Sequence, residues 1–170
     1  MVKNIVLVGL MGCGKTTVGK LLASKLNMSF IDTDSQIEQH AGRSINQIFE
    51  KYGETHFRNL EHQIAIELSN KSGYVISTGG GFVENTDNIN LLKDNSVLFY
   101  LLATPQELYD RIKDDTSRPL LKNSSPLETL KVLLDKRESK YRLADEMIIT
   151  SNKPIDEIVK EITEKYSKYE

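Results

Sequence analysis

The sequence predicts an α/β fold in which helices cover both faces of a parallel sheet. Short apolar runs alternate with segments of helical periodicity along the 170 residues, as in doubly wound sheets. Most of these runs are continuously apolar, which indicates strands buried on both faces. The five predicted strands cover residues 4–8, 29–32, 74–77, 97–102 and 146–149.

Start signals mark several of the predicted helices. Ser44 and Gln47 form a capping-box pattern, and Gly53 is expected to break that helix before a second one. Ser125 precedes a proline at a first helical position, and Pro154 opens the last predicted helix. These signals place helices between the strands, as the fold class requires.

Length and composition limit the possible function classes. We expect one domain over residues 1–170, and a monomer. The net charge of −2 gives no general attraction to nucleic acid or anionic membranes. The first apolar run is far too short for a signal or membrane segment. The single cysteine, Cys13, permits no disulfide within the chain, so we expect a soluble, cytoplasmic protein.

Residues 9–17, GLMGCGKTT, match the phosphate-binding loop pattern between a predicted strand and a predicted helix. The glycines let successive backbone N–H groups face phosphate oxygens, and the helix N-terminus adds its positive end. Lys15 could reach the β- and γ-phosphates, and the Thr16 hydroxyl could bind Mg²⁺. We therefore expect a nucleotide site here. Cys13 has two possible interpretations, a reactive thiol or a buried, inert thiol.

Two carboxylates, Asp32 and Asp34, follow the second predicted strand. In an extended chain both would point to the same side, and the carboxyl end of a parallel strand opens on the ligand crevice. One could hold Mg²⁺ through water, and the other could accept a proton or hydrogen bond from a hydroxyl acceptor. The alternative is a helix N-cap, formed by Asp34.

Arg58 lies between two acids of a predicted helix, Glu54 at i−4 and Glu61 at i+3. A solvated face with ion pairs is the usual interpretation of such spacing. The functional alternative is an arginine held rigid for a carboxylate ligand, which the planar guanidinium suits.

A run of three glycines at 79–81 follows the third predicted strand, which favours close approach of a ligand to bare backbone over a simple turn. Residues 113–125 form a long polar segment, expected to be a lid, a binding loop or disordered chain. Arg118 within it could close over a transferring phosphate; the alternative is an arginine that serves solubility alone. The histidines show no metal-ligand spacing, so Mg²⁺ is the only metal expected.

Taken in order, these motifs resemble those of the shikimate kinase family. The resemblance rests on GLMGCGKTT, FIDTD, INQIFEKYGETHFRNLE, STGGG, RPLL and RESKYRLA, which together span nearly the whole chain. It implies the nucleoside-monophosphate-kinase-like P-loop kinase fold, with a five-stranded parallel sheet flanked by helices and a mobile lid. It further implies transfer of the γ-phosphoryl of ATP to the 3-hydroxyl of shikimate, in the route to chorismate and the aromatic amino acids.

The resemblance also implies roles for individual residues on the nucleotide side. The phosphates would be held by Gly12, Cys13, Gly14, Lys15, Thr16 and Thr17. Mg²⁺ would be held by Thr16 and, through water, by Asp32. Arg118 would reach ATP from the lid at 113–125, while Arg111 and Pro154 would lie beside the adenine.

On the acceptor side, the resemblance implies a shikimate-binding helical region at about 34–61. Asp34 would contact the acceptor hydroxyl, and Arg58 and Arg137 would bind the carboxylate. The ring would be covered by Gly79, Gly80 and Gly81. The catalytic residues would accordingly be Lys15, Asp34 and Arg118.

Two other functions remain to be weighed against this one. The nearest alternative is another small-molecule kinase of the same fold, with gluconate or a nucleoside monophosphate as acceptor. Motif spacing alone does not exclude gluconate. A GTP-dependent switch is disfavoured, because the sequence contains neither the N-K-x-D pattern for guanine nor the D-x-x-G pattern of the switch.

Overall fold

The computed structural model describes residues 2–115 and 125–169, which include a five-stranded parallel sheet in the order β2-β3-β1-β4-β5. The strands are β1 (Asn4–Val8), β2 (Ser29–Asp32), β3 (Tyr74–Ser77), β4 (Ser96–Leu102) and β5 (Glu146–Ile149). All five predicted strands are confirmed. Only β4 differs, beginning one residue earlier, because Ser96 is in register with Asn4 of β1.

Helices connect the strands throughout the described residues. They are α1 (Lys15–Leu26), α2 (Thr33–Ala41), α3 (Ile45–Ser69), α4 (Thr86–Lys93), α5 (Pro105–Ile112), α6 (Pro126–Tyr141) and α7 (Ile155–Tyr166), with a 3₁₀ helix at Phe82–Glu84. The predicted capping box of Ser44 and Gln47 is present at the start of α3. Pro126 is the first residue of α6, as predicted, and Pro154 is the N-cap of α7.

The chain reverses its direction of travel across the sheet after β1. The connection from β1 through α1 runs to the edge strand β2. The connections after β2, β3 and β4 all run in the opposite direction, toward β5. Because such crossovers are right-handed, α1 lies on the opposite face from the helices that follow β2, β3 and β4, and α7 packs beside α1. The crevice at the carboxyl end of β1 is therefore the expected ligand site of this sheet.

The central strands carry the core. All five residues of β1 are buried, and so are the first six of β4, as the continuously apolar pattern predicted. The Tyr100 ring of β4 stacks on the Tyr141 ring of α6 at 5.1 Å between centroids. No helix within 2–115 or 125–169 is both long enough and apolar enough to cross a membrane.

Gly53 interrupts α3, as predicted. Its φ of 81° and ψ of 176° are non-helical, and the helical residues on either side are otherwise continuous. This backbone conformation is almost restricted to glycine. The residue turns the chain between the first turns of α3, begun by Ser44, and the segment that carries Glu54, Arg58 and Glu61.

Gly53→Ala should therefore destabilise the protein, although helix propensity alone predicts stabilisation for glycine to alanine within a helix. We expect the free energy of unfolding in urea to fall by about 1–3 kcal/mol, the cost of forcing a β-carbon into this region. An added β-carbon meets no atom within 4 Å, so the effect is purely that of the backbone. Gly42→Ala, at a φ of 61°, is the comparison and should cost less, because alanine tolerates the left-handed helical region better. A more stable Gly53→Ala variant would contradict the break.

Candidate active site

The glycine loop joins β1 to α1 and forms one wall of a cavity. Gly12 and Gly14 have φ values of 83° and 93°, which let the loop curl ahead of Lys15, the first residue of α1. The cavity has a volume of about 470 Å³. Most of the residues predicted to bind the nucleotide or the metal line this cavity: Gly12, Cys13, Gly14, Lys15, Thr16, Thr17, Asp32 and Arg111.

Lys15 is buried within the loop. Its Nζ donates hydrogen bonds to the carbonyl oxygens of Gly9 at 2.7 Å and Leu10 at 3.2 Å, and lies 3.5 Å from the Cys13 sulfur. Carbonyl dipoles, rather than a carboxylate, therefore hold this cation. The Cys13 side chain is 2% exposed, which favours the inert alternative for the thiol.

Thr16 and Asp32 are in direct contact at the cavity wall. The Thr16 hydroxyl donates to Asp32 Oδ2 at 3.0 Å and lies 3.4 Å from the Ser77 hydroxyl. Asp32 Oδ1 accepts from the Ser35 N–H at 3.1 Å, so Asp32 is the N-cap of α2. The alternative in which Asp34 is the capping residue is therefore wrong.

Asp34 lies in the first turn of α2, which begins at Thr33. The assumption of an extended chain after Asp32 is therefore wrong, although both carboxylates line the same cavity. Burial raises the pKa of Asp34 to about 6; the Asp32 charge adds to the shift, and the charges of Lys15 and Arg58 oppose it. Asp34 Oδ1 is buried and has no hydrogen-bond partner among the described residues.

Arg58 forms ion pairs with both predicted acids. It donates to Glu61 Oε2 at 2.7 Å and to Glu54 Oε1 at 3.1 Å. The Glu61 side chain is only 1% exposed and that of Glu54 is 60% exposed, so the solvated-face interpretation holds for Glu54 alone. Burial raises the pKa of Glu61 to about 7, although the charge of Arg58 and its hydrogen bond work against the shift.

Arg137 approaches Arg58 from α6, and a carboxylate lies between them. Arg137 Nε donates to Glu84 Oε1 at 2.7 Å, and Glu84 Oε2 lies 3.8 Å from Arg58 Nε. Glu84 ends the 3₁₀ helix that follows the glycine run. Neither arginine lines the cavity itself, which reaches this side of the site only as far as Asp34, Gly79 and Gly80.

The glycine run fits tightly among the charged side chains. A β-carbon on Gly79 would lie 2.6 Å from Asp34 Oδ1, and one on Gly81 would lie 2.5 Å from Arg58 Nη2. At Gly80 the nearest atoms would be 3.5 Å or more away. A side chain at Gly79 or Gly81 would therefore have to displace the Asp34 carboxylate or the Arg58 guanidinium. The sequence did not reveal these contacts.

Arg111 contacts the loop from α5. Its Nη1 donates to the Gly12 carbonyl and to the Thr150 hydroxyl, each at 3.3 Å. Pro154 does not line the cavity, but its neighbours Lys153 and Ile155 do. Arg118 lies outside the described residues, as does most of the expected lid at 113–125.

Several residues of the site were missed by sequence reasoning. Ser77 and Thr150 stand at or just after the carboxyl ends of β3 and β5, where the parallel-sheet rule could have found them. The Tyr141 hydroxyl donates to the Gly80 carbonyl at 2.6 Å, and Glu84 bridges two arginines. No local pattern marks either residue, because their partners are distant in sequence.

The sheet topology and the loop with Lys15 and Thr16 define a P-loop kinase fold. The family model for shikimate kinase matches residues 11–167. A shikimate kinase from Caldanaerobacter subterraneus subsp. tengcongensis is 46% identical over 166 residues, covering 98% of this chain and 97% of the relative. The chain therefore belongs to the shikimate kinase family, and it is an ATP-dependent phosphotransferase with an alcohol acceptor.

Solved structures agree with this assignment. A shikimate kinase from Acinetobacter baumannii, in complex with shikimate, has a TM-score of 0.94 at 36% identity, covering 100% of this chain and 96% of that one. A gluconokinase from Sinorhizobium meliloti has a TM-score of 0.63 at 17% identity, covering 98% and 93%. The second likeness shows the shared fold alone.

The close approach of Gly79 and Gly81 to charged side chains can be tested by the stability of the ligand-free protein. Gly79→Ala should displace the Asp34 carboxylate, and Gly81→Ala should displace the Arg58 guanidinium. We expect each to lower the stability by about 1–3 kcal/mol, as overpacking usually does. Gly80→Ala is the matched control, since it has room for the methyl group, and should unfold within about 2 °C of the parent. Equal melting temperatures for all three variants would contradict the contacts described here.

Proposed function

We propose that the protein transfers the γ-phosphoryl of ATP to the 3-hydroxyl of shikimate, giving shikimate 3-phosphate and ADP. One observation carries the proposal: Asp34 lines the cavity on the side away from the phosphate-binding loop, toward the arginines. The positive charges of Lys15 and Arg58 both act on its carboxylate and oppose the rise of its pKa. Family membership supports the same acceptor. Shikimate carries one carboxylate and several hydroxyls, which paired arginines and an aspartate suit.

The nucleotide side would hold ATP mainly through backbone N–H groups of residues 12–17. Lys15 would exchange its two carbonyl partners for β- and γ-phosphate oxygens. Arg111, already bound to the loop and to Thr150, would lie beside the adenine together with the segment around Pro154. Arg118 is proposed from the sequence alone as a cation that reaches ATP from a lid at about 113–125.

The residues near Thr16 suit Mg²⁺. The described residues contain no cluster of three or more His, Cys, Asp or Glu side chains that could hold a metal unaided. Mg²⁺ does not require one, because it keeps several waters and binds through few protein oxygens plus substrate phosphates. Thr16 would hold it directly and Asp32 through water. When bound, Mg²⁺ would neutralise charge on the β- and γ-phosphate oxygens.

On the acceptor side, Arg58 and Arg137 would bind the shikimate carboxylate and so fix the ring beside Gly79, Gly80 and Gly81. Asp34 would accept a hydrogen bond from the 3-hydroxyl and take its proton as the phosphoryl group moves. Asp34 Oδ1, unpartnered among the described residues, supports this role. Phosphoryl transfer needs little covalent work from the protein, so this positioning and charge compensation would supply most of the catalysis.

Further features of the proposal rest on the same arrangement. Residues 1–170 would form a single kinase domain with a shikimate-binding helical region at about 34–61. We also propose a monomeric, cytoplasmic enzyme with ATP and shikimate as partners, acting without nucleic acid or membrane. The near balance of charge and the single cysteine support this.

A comparison of acceptors tests the proposed function. ADP release should depend on Mg²⁺ and should be fastest with shikimate, because the arginines select a carboxylate and Asp34 selects a nearby hydroxyl. Quinate, gluconate and nucleoside monophosphates are the comparison substrates. Faster ADP release with gluconate or a nucleoside monophosphate would overturn the shikimate assignment in favour of another kinase of this fold.

The role of Asp34 predicts a pH dependence. As the pH falls through about 6, Asp34 gains a proton and can no longer accept one, so kcat/KM for shikimate should fall tenfold per pH unit. Asp34→Asn should lower kcat by about 10² or more and lose this acid limb.

Glu61 is the control for that experiment, because its pKa of about 7 lies close by. Glu61→Gln should keep the acid limb that belongs to Asp34. An acid limb that persists in Asp34→Asn and vanishes in Glu61→Gln would assign the titration to Glu61 and contradict the role of Asp34.

A further inference from the structure

We propose that Glu84 is a positioning residue for substrate carboxylate binding: it holds Arg58 and Arg137 in place before the substrate arrives. The inference rests on the proposed function, in which these two arginines bind the carboxylate of shikimate. It assigns a role to a residue that does not line the cavity.

The contacts of Glu84 join three separate elements. Its Oε1 accepts a 2.7 Å hydrogen bond from Arg137 Nε on α6, and its Oε2 lies 3.8 Å from Arg58 Nε on α3. Glu84 itself belongs to the 3₁₀ helix directly after the glycine run. One carboxylate thus contacts two guanidinium groups that are 79 positions apart in sequence, with a hydrogen bond to Arg137 and an ion-pair distance to Arg58.

The backbone of Glu84 is anchored on both sides. Its N–H donates to the Gly81 carbonyl at 2.9 Å, and its carbonyl accepts from Lys140 Nζ at 2.9 Å. The side chain is 14% exposed and that of Arg137 is 8% exposed. Such an anchored pair, partly buried at Glu84 and buried at Arg137, differs from the exposed ion pairs of the surface, which contribute little to stability.

Glu84 is negatively charged at neutral pH. Burial acts to raise its pKa, but the hydrogen bond and charge of Arg137, with the charges of Arg58 and Lys136, leave the pKa below its ordinary value. The carboxylate therefore presents full acceptor strength to Arg137. The exposed Lys136, at 3.4 Å, shares the same oxygen.

The arrangement leaves the terminal nitrogens of Arg137 on the side away from Glu84, where they also approach the Tyr141 hydroxyl. Glu84 takes the Nε edge of Arg137, so the terminal nitrogens can face the glycine run, where Nη1 would lie 3.6 Å from a β-carbon on Gly80. Arg58 Nε faces Glu84 itself and is buried without a hydrogen-bond partner among the described residues. Ordering two long side chains in advance removes a cost that substrate binding would otherwise bear.

Steady-state kinetics of the full chain test this role. Glu84→Ala should raise KM for shikimate about tenfold, the scale of ordering two long side chains on binding. We expect kcat to stay within about threefold and KM for ATP to stay unchanged, because chemistry and nucleotide contacts are separate from Glu84. Glu84→Gln, whose amide oxygen still accepts from Arg137, should recover most of the loss.

Two comparisons separate positioning from general damage. Glu138→Ala removes the same charge from α6, where Glu138 pairs with the exposed Arg142, and should leave KM for shikimate unchanged. With shikimate methyl ester, which lacks the negative charge, the effect of Glu84→Ala should shrink to about twofold or less, because the arginines no longer bind a carboxylate.

A second measurement does not depend on activity. In ligand-free protein, the Arg137 Nε–H should exchange with water at least about tenfold more slowly than that of the exposed Arg142, since it is buried and hydrogen-bonded. Glu84→Ala should abolish this protection. Equal exchange rates in the parent protein would overturn the proposal even if shikimate proved not to be the substrate.

The remaining outcomes are also decisive. A parent enzyme that phosphorylates shikimate, with an unchanged KM in Glu84→Ala, would overturn the positioning role while leaving the proposed function intact. A lower KM in either Glu84 variant would mean that this carboxylate competes with the substrate, which contradicts the proposal. A fall in kcat with normal KM would assign Glu84 to the chemistry instead.

Discussion

The parallel pairing of β1 with β3 and β4 is the constraint on which the rest of the structure depends. It aligns the carboxyl ends of these strands at one edge, so the glycine loop after Val8 and the glycine run after Ser77 start side by side. The pairing of β2 with β3 brings Asp32 level with Ser77. Because every strand of this sheet points the same way, residues distant in sequence meet without any long-range sequence signal.

Charge burial is the cost of this arrangement. Asp34 and Glu61 have pKa values raised to about 6 and about 7, mainly because burial removes their carboxylates from water. The folded protein therefore binds their protons more tightly than the unfolded chain. Between about pH 4 and 7 these two groups make the folded state less stable as the pH rises. The site keeps charges that an inert core would exclude, and perturbed groups of this kind gather at functional sites.

The sequence predicted the fold far better than it predicted the side-chain contacts that form the candidate site. Continuous apolar runs predicted the strand bounds almost to the residue. The Ser44 capping box and the Gly53 break were also predicted correctly, because both depend on local sequence rather than on tertiary contacts. Asp32 and Asp34 were expected on one side of an extended chain, yet they reach the cavity through a helix that begins between them. Glu84 could not be predicted, because its partners come from α3 and α6 and no spacing rule relates them.

The two halves of the site differ in how they are built, and this difference bears on specificity. The proposed phosphate side is one continuous glycine loop whose backbone N–H groups would suit any nucleoside triphosphate tail. The acceptor side draws side chains from α2, α3, the 3₁₀ helix and α6, which only the complete fold brings together. The gluconokinase shares the fold alone, and under the proposed function the arginines and their carboxylates would carry the choice of substrate.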